Sequence, residues 1–180
     1  RPVLPPGMKS WTPYQYAKHT SRLFDDSRYV EVRAILEVGV GHYPNSIPLR
    51  FLLGQVLVIG LGSYEDGMAE LDQVVRKNPD AVQAHACIGW AYLRLNRLPE
   101  AIGAFRRAIE LKPFTWEYLD ALGMTYLRAD SLEAAAQVLR QAVEHAPWEP
   151  NPHLQLVRLY QSRRLEEEAQ HHRELFTRYF

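Results

Sequence analysis

The chain has 180 residues, of which 47% are hydrophobic and 23% charged, a composition typical of a folded globular protein and unlike a disordered one. Its 21 lysines and arginines balance 21 aspartates and glutamates, so no basic field favours nucleic acid or an anionic membrane surface. No apolar run approaches the roughly 18 residues that a membrane-spanning helix requires. The single cysteine, Cys87, excludes an intramolecular disulfide, and we expect it to be a buried structural thiol.

Residues 1–12 are rich in proline and are predicted to form an extended N-terminal arm without regular structure. Pro2 and Pro5 have the spacing of a polyproline ligand, but a stiff tether is the simpler interpretation of so short a motif. Trp11 is expected to hold this arm against the first helix. Because the sequence starts at Arg1 rather than Met, a leader, an anchor or an upstream domain could precede it. The compartment is therefore left open as cytoplasmic or, if such a segment was removed, envelope-associated.

From residue 13 onward, prolines recur at a nearly constant spacing and divide the chain into repeats. The repeat-closing prolines, which follow one another at intervals of 35, 34 and 34 positions, are Pro44, Pro79, Pro113 and Pro147. Because each proline stops a helix, this spacing predicts five helical hairpins. Their approximate limits are 13–46, 47–81, 82–115, 116–149 and 150–180, and the first and last hairpins are degenerate.

The third and fourth repeats carry the same residue types at positions 34 apart. In the third repeat these are His85, Ile88, Gly89, Tyr92, Ala101, Phe105, Ala108 and Pro113. In the fourth they are Leu119, Leu122, Gly123, Tyr126, Ala135, Leu139, Ala142 and Pro147. Residues four apart share one helix face, so each helix has an apolar side. One hairpin cannot bury that side alone, but a stack of hairpins can.

This pattern resembles the tetratricopeptide repeat (TPR), in which W-x2-L-G-x2-Y, A-x3-F and a closing proline recur with a period of 34. The first position departs from the family, since His85 and Leu119 replace its tryptophan. The resemblance implies an all-α fold, a right-handed α-solenoid of about five TPR helix-turn-helix units spanning 13–180. It also implies that the chain binds a protein or peptide partner.

Two irregularities of spacing predict irregular turns. In the second repeat Leu53 matches the first-helix pattern but Tyr64 comes one residue late. The extra residue is therefore placed in the turn at Gly60–Ser63, which is predicted to be a longer loop. In the fifth repeat Leu165 follows Tyr160 by only five residues, which predicts a turn one residue shorter than in the fourth.

The last helix is predicted to run from Leu165 to about Tyr179 and to end in an apolar segment. Solenoids usually finish with a polar outer face that shields the last repeat. An exposed apolar end favours a contact with another copy, so a homo-oligomer is possible. The self-association candidates are Leu175, Phe176, Tyr179 and Phe180.

In the family, first helices line a concave groove that holds a partner segment, and the resemblance assigns this role to the inward positions of this chain. The candidate groove residues are Phe51, Gln55, Trp90, Arg94, Asp120, Met124, Arg128 and Arg158. Trp and Arg are frequent anchors of interfaces. Arg94, Arg128 and Arg158 recur at similar intervals, which predicts a basic ladder suited to a carboxylate or an acidic peptide. The alternative is that Trp90 packs between helices and the arginines are solvated. The Lys and Asn clamp with which some family members hold chaperone C-termini is not matched at these positions.

No constellation of catalytic or metal-binding residues is visible, so we predict neither an enzyme nor a cofactor or metal. The sequence lacks H-E-x-x-H, C-x-x-C, G-x-S-x-G, a Walker loop and a dinucleotide fingerprint. His171 and His172 point to different sides of a helix, and structural or solvated histidines are the expected state. Glu166–Glu168 open the last helix, where negative charge complements the helix dipole.

Three functions remain open. The leading hypothesis is a scaffold or adaptor that binds a peptide or protein partner in the concave groove within a multiprotein assembly. The second is a self-assembling structural TPR oligomer. The third is the non-catalytic TPR arm of a larger enzyme.

Overall fold

The computed structural model describes residues 4–163 and 165–179, and these residues form ten α-helices and no β-strand. The helices are α1 (Pro13–Asp25), α2 (Tyr29–His42), α3 (Ile47–Gln55), α4 (Tyr64–Lys77), α5 (Val82–Arg94), α6 (Leu98–Leu111), α7 (Trp116–Arg128), α8 (Leu132–His145), α9 (Pro150–Ser162) and α10 (Glu166–Tyr179). A 3₁₀-helix (Met8–Ser10) precedes α1, and a π-helical turn (Val56–Gly60) continues α3. The predicted all-α fold is therefore confirmed. Among these described helices, none is both long and apolar enough to cross a membrane.

The chain folds as two compact units, Arg1–Leu95 with α1 to α5 and Asn96–Phe180 with α6 to α10. The helix positions repeat along the chain. First helices α5, α7 and α9 begin at residues 82, 116 and 150, and second helices α6, α8 and α10 begin at 98, 132 and 166. Each kind of helix thus recurs with a period of 34, as expected for tandem TPR hairpins.

The last hairpin keeps this period, so the prediction of a shorter turn within it is wrong. α9 ends at Ser162 and α10 begins at Glu166, just as α7 ends at Arg128 and α8 begins at Leu132. Leu165 lies before the last helix rather than inside it, one position ahead of the true equivalent of Leu132. The spacing of leucines was misleading because Leu165 occupies the position of Ser131, the residue before α8, and not that of Leu132.

Four of the hairpin turns contain one residue with a left-handed backbone. The φ angle is 57° at Ser27, 67° at Gly62, 59° at Asn96 and 54° at Asp130. Glycine adopts this conformation freely, and Asn and Asp tolerate it better than most residues. These residues lie 35, 34 and 34 positions apart, so the same backbone step reverses the chain in each of the four hairpins.

The extra residue of the second repeat is absorbed inside the first helix, so the prediction of a longer loop at Gly60–Ser63 is wrong. The N–H of Leu61 donates to the carbonyl of Val56, five residues earlier, at 3.0 Å. Three residues, 61–63, then connect to α4, the same number as between α5 and α6. A π-helical turn keeps the backbone groups hydrogen-bonded and Val56 buried, which an enlarged loop would not.

In the first unit, α3 and α4 approach closely because two glycines face each other. A Cβ atom on Gly54 would lie 2.6 Å from Leu71 Cγ and 3.0 Å from the carbonyl oxygen of Gly67. A Cβ atom on Gly67 would lie 2.6 Å from a methyl group of Val58. The core around this crossing is apolar, and Leu49 and Leu71 have no exposed surface.

The N-terminal segment is docked on α1 where the sequence predicted an extended arm, so that expectation is wrong for Met8–Ser10. Met8 is buried, and its carbonyl accepts a hydrogen bond of 2.6 Å from the Tyr16 hydroxyl. The Trp11 ring packs edge-on against Tyr16 at 5.4 Å between centroids, which agrees with the expected contact of Trp11 with the first helix. Thr12 then caps α1 in a capping box with Gln15.

In the second unit, the same side-chain hydrogen bond joins successive hairpins twice. Arg106 on α6 donates through Nη2 to the Tyr126 hydroxyl on α7 at 2.6 Å. One repeat later, Arg140 on α8 reaches the Tyr160 hydroxyl on α9 at 3.5 Å. Gly123 lets α7 approach α8, since a Cβ there would lie 2.6 Å from Leu139.

The repeat position at which the family has tryptophan carries a hydrogen-bond donor in three hairpins. Arg50 Nε donates to the carbonyl of Pro44 at 2.7 Å. His85 Nε2 and His153 Nε2 each lie 2.9 Å from the carbonyl of the proline six residues earlier, Pro79 and Pro147. Because a carbonyl only accepts, both histidines donate through Nε2. In α3, α5 and α9 this donor connects the first helix to the segment that precedes it.

Candidate functional site

The eight predicted groove residues fall into both units. Phe51, Gln55, Trp90 and Arg94 lie on α3 and α5 in the first unit, and Asp120, Met124, Arg128 and Arg158 lie on α7 and α9 in the second. The three arginines beyond residue 90 are exposed, and the other five side chains are half-buried. Half-buried Trp90 and exposed arginines agree both with a groove and with the alternative in which Trp90 packs between helices and the arginines are solvated, so the groove stays a prediction.

Trp90 and Arg94 line a pocket of about 610 Å³ in the first unit, here called the Trp90 pocket. Its lining residues are Val58, Ile59, Gly62, Tyr64, Trp90 and Arg94. They come from the π-helical turn, the following hairpin turn, the start of α4 and the last two turns of α5. Three of them are large and apolar, which gives the pocket apolar walls with a polar edge.

Arg94 supplies the charge of this pocket and is held in place by Tyr64. Its Nε donates to the Tyr64 hydroxyl at 3.0 Å. The terminal amino groups of the guanidinium are thereby oriented at an exposed edge, and no carboxylate of the described residues forms an ion pair with them. A planar guanidinium with its terminal donors available suits an incoming carboxylate.

Gln55 and Phe51 do not join the Trp90 pocket. Gln55 lines a smaller pocket of about 160 Å³ together with residues of α1 and α2, among them Phe24 and Val32. Phe51 is half-buried on α3 and lines neither pocket. The side chains predicted on α3 thus lie apart from the pair on α5.

In the second unit Asp120 has a partner that the sequence analysis did not identify. Gln155 Nε2 on α9 donates to Asp120 Oδ1 on α7, while Gln155 Oε1 is buried and accepts no hydrogen bond from the described residues. Burial raises the pKa of Asp120 to about 6, and the hydrogen bond from Gln155 opposes that rise. The Asp120–Gln155 pair could not be predicted from the repeat pattern, because the two residues lie more than one repeat apart and have no counterparts in other repeats.

The three arginines do not form a uniform ladder. Arg128 Nη2 donates to the Asn96 side chain at 2.8 Å, in the hairpin turn of the preceding repeat. Arg158 lies one period of 34 after Met124 and two periods after Trp90, so it occupies their position rather than that of Arg94 and Arg128. Arg158 is therefore one helical turn out of the regular spacing, although a shift of one turn keeps it on the same helix face, and the basic ladder stays a prediction.

Two of the four self-association candidates can be located. Leu175 and Phe176 are half-buried on α10. Phe180 and the side chain of Tyr179 lie outside the described residues. Self-association through this end stays a prediction.

A buried histidine pair occurs in the last hairpin, where the sequence indicated only structural or solvated histidines. His153 Nδ1 on α9 and His172 Nδ1 on α10 are 3.2 Å apart. Since His153 donates through Nε2 to Pro147, its Nδ1 accepts and His172 Nδ1 donates. Burial, with the nearby His153, His171 and Arg140, lowers the pKa of His172 to about 4. His172 stacks on Tyr160 at 5.7 Å between ring centroids.

Other reactive groups are isolated in the part of the chain that the structure describes. Cys87 is buried as expected, and burial raises the pKa of its thiol to about 12, so it is not a nucleophile at neutral pH. No group of three or more His, Cys, Asp or Glu residues in residues 4–163 and 165–179 is arranged to hold a metal ion.

The sequence matches the family model of the tetratricopeptide repeat over residues 57–115 and 88–152, which together span more than half of the 180 residues. The chain belongs to the tetratricopeptide repeat family. TPR proteins in general are non-catalytic scaffolds for protein–protein interactions, and the fold described above supports that general role. No curated protein sequence matches the chain significantly.

Solved TPR structures resemble the chain over most of its length. MamA from Desulfovibrio magneticus RS-1 is 20% identical, with 91% of this chain and 90% of that chain covered and a TM-score of 0.77. A thermophilic TPR protein of Thermus thermophilus is 18% identical, with 93% and 97% covered and a TM-score of 0.74. PilF of Pseudomonas aeruginosa is 15% identical, with 92% and 75% covered and a TM-score of 0.81. At these identities the similarity shows the fold alone.

Proposed function

We propose that this TPR chain is a non-catalytic adaptor that holds a segment of a partner protein on its first-helix surfaces, within a multiprotein assembly. The observation that carries the proposal is the Trp90 pocket. Trp and Arg are both enriched among the residues that anchor interfaces, and here a half-buried tryptophan and an oriented arginine join a large apolar area to a directional polar group.

Four further groove candidates lie in the second unit. Asp120, Met124, Arg128 and Arg158 add polar and apolar contacts on α7 and α9. Polar contacts of this kind select a partner more than they increase affinity. We assign the leading contribution to affinity to Trp90 and Arg94.

The proposal is tested by affinity capture with the wild-type chain and with a Trp90→Ala, Arg94→Ala double variant, followed by mass spectrometry. We expect at least one protein that the wild type captures and the double variant does not. That protein, once purified, should bind the wild-type chain directly in calorimetry and the double variant at least tenfold more weakly. Equal direct binding by both proteins would contradict the proposal.

Light scattering over a concentration series separates this function from self-assembly. An adaptor keeps a constant molar mass, whereas a chain that associates through its apolar end grows with concentration. If growth occurs and a charged substitution at Phe176 abolishes it while the pocket variant does not, the self-assembling oligomer becomes the better description.

A further inference from the structure

The extra residue of the second repeat lies at the Trp90 pocket. α3 and its π-helical turn have nine and five residues, one more together than the 13 residues of α5. The Leu61 N–H bonds to Val56, and the Ser63 N–H donates to the carbonyl of Leu57 at 2.8 Å. The extra residue therefore widens the last turn of the first helix, directly before the hairpin turn that contributes Gly62 to the pocket. Single π-helical turns of this kind often occur at functional sites.

Ile59, in the π-helical turn, is an apolar residue at a repeat position that arginine occupies in the next two repeats. Ile59 lies five residues after Gly54, as Arg94 lies five after Gly89 and Arg128 five after Gly123. Ile59 is nevertheless 53% exposed, while Val58 before it is 4% exposed. An exposed isoleucine beside a half-buried tryptophan is apolar surface without an intramolecular cover, which is typical of a contact site.

The charge of the pocket is positive. Arg94 is the one charged residue among its six lining residues. Glu65 and Asp66 follow Tyr64 on α4 but do not line the pocket. A pocket that combines apolar walls with a single guanidinium at a polar edge is complementary to a ligand with an apolar side chain and an adjacent negative charge.

We propose that the one-residue insertion makes this repeat a binding site, in which the π-helical turn shapes the Trp90 pocket to hold an apolar peptide side chain whose neighbouring residue is a carboxylate paired with Arg94. The inference rests on the proposed adaptor function and names the chemistry of the bound segment. In this arrangement Val58, Ile59 and Trp90 contact the apolar side chain. Arg94 uses its terminal amino groups for the carboxylate, while its Nε stays bonded to Tyr64.

The test uses three synthetic peptides that differ at one position each. The probe is acetyl-Gly-Ser-Leu-Glu-Ser-Gly-amide, and its two controls replace Glu by Gln or Leu by Ala. Binding to the full chain is followed by ¹H–¹⁵N NMR at the Trp90 indole and the Gly62 amide. We expect the probe to bind about tenfold more tightly than either control, since one charge-assisted hydrogen bond or one buried leucine is worth about that factor.

Deletion of Leu61 tests the role of the insertion. This deletion restores the regular repeat period and retains all six lining residues, so a change in binding reports the shape of the helix and not the loss of a residue that lines the pocket. We expect the deletion to weaken probe binding at least tenfold while circular dichroism stays that of the wild type.

An Ile59→Arg variant serves if the deletion prevents folding, because Ile59 is exposed and arginine stands at the equivalent position of the next two repeats. We expect it to abolish the preference for Leu over Ala. Arg94→Gln should abolish the preference for Glu over Gln, and the control Arg76→Gln, which removes one exposed charge from the second helix of this repeat, should retain both preferences.

The outcomes separate this inference from the adaptor function. If the probe binds and shifts Trp90 but the Leu61 deletion binds it equally well, the insertion does not build the site and the inference is wrong, although the pocket still binds. If no probe shifts Trp90 while the captured partner still depends on Trp90 and Arg94, the adaptor function stands and the ligand chemistry is wrong. If neither probe binding nor partner binding depends on the Trp90 pocket, both the inference and the proposed adaptor function are wrong.

Discussion

At the scale of single residues, hydrogen bonds between polar side chains connect neighbouring helices. The apolar repeat pattern does not predict which residues form these hydrogen bonds. His153 is fully buried and donates to the carbonyl of Pro147 while it accepts from His172. An imidazolium cannot accept at Nδ1, so these two hydrogen bonds together require the neutral form of the His153 ring. Burial of such a pair is tolerated because every polar atom of the His153 ring is hydrogen-bonded.

The histidine pair makes the stability of the chain depend on pH. The pKa of His172 is lowered from 6.5 to about 4, so the unfolded chain takes up a proton that the folded chain does not. We expect this group's contribution to be fully present above pH 6.5 and to decrease as the pH falls towards 4, by up to about 3 kcal/mol. Asp120 acts in the opposite direction, because its raised pKa of about 6 makes folding more favourable as the pH falls from 6 to 4.

Urea unfolding at a series of pH values measures both contributions. His172→Phe, which retains a ring against Tyr160, should remove most of the loss of stability between pH 6.5 and 4. Asp120→Asn should make that loss larger. The exposed neighbour His171, replaced by Ala, is the control and should leave most of the slope in place. If the unfolding free energy of the His172→Phe variant depended on pH as in the wild type, the histidine pair would not be the cause of that dependence.

At the scale of secondary-structure elements, close helix approach is set by glycines whose neighbours leave no room for a side chain. Gly54 and Gly67 face each other across α3 and α4, and each would place a Cβ atom 3.0 Å from the other's carbonyl oxygen. Gly103 on α6, by contrast, is exposed, and no neighbouring atom lies within 4 Å of the point that its Cβ atom would occupy. The same residue type therefore has opposite consequences on two helices.

Substitution of these glycines by alanine should change stability in opposite directions. Gly54→Ala forces the buried Leu71 and the Gly67 backbone to move, which we expect to cost about 2–3 kcal/mol. Gly103→Ala should instead stabilise the chain by roughly 0.5–1 kcal/mol, because alanine favours helix and meets no neighbour. Thermal and urea unfolding of the two variants measure these effects, and a neutral Gly54→Ala would show that α3 and α4 can separate without cost.

At the scale of the whole molecule, candidate binding residues occur in each of the two units. Trp90 lies in the first unit and Arg128 lies in the second. We expect a Trp90→Ala, Arg128→Ala double variant to bind the captured partner more weakly than either single variant, with unchanged helix content and melting temperature. Calorimetric titrations of the three variants test this expectation. A double variant that binds like Trp90→Ala alone would confine the contact to the first unit, and one that unfolds would show that these side chains are core.

Much of the fold could be predicted because its determinants are local and periodic. The apolar positions four residues apart, the small residues and the closing prolines act within one hairpin, and together they identified the all-α TPR fold. The candidate site was predicted less completely. Trp90 and Arg94 were predicted from their repeat position. Ile59 and Tyr64 were not, since Ile59 lies in the π-helical turn and Tyr64 begins α4 after the hairpin turn.

The sequence by itself determined the repeat, its period of 34 and the helical hairpin, because each depends on residues within one helix length of another. The tertiary structure alone decided where the extra residue of the second repeat lies, since the choice between a loop and a π-helical turn depends on what packs against Val56 and Gly60. It also decided that Asp120 meets Gln155 and that His153 meets His172, because side chains so distant along the chain come together only when the helices pack.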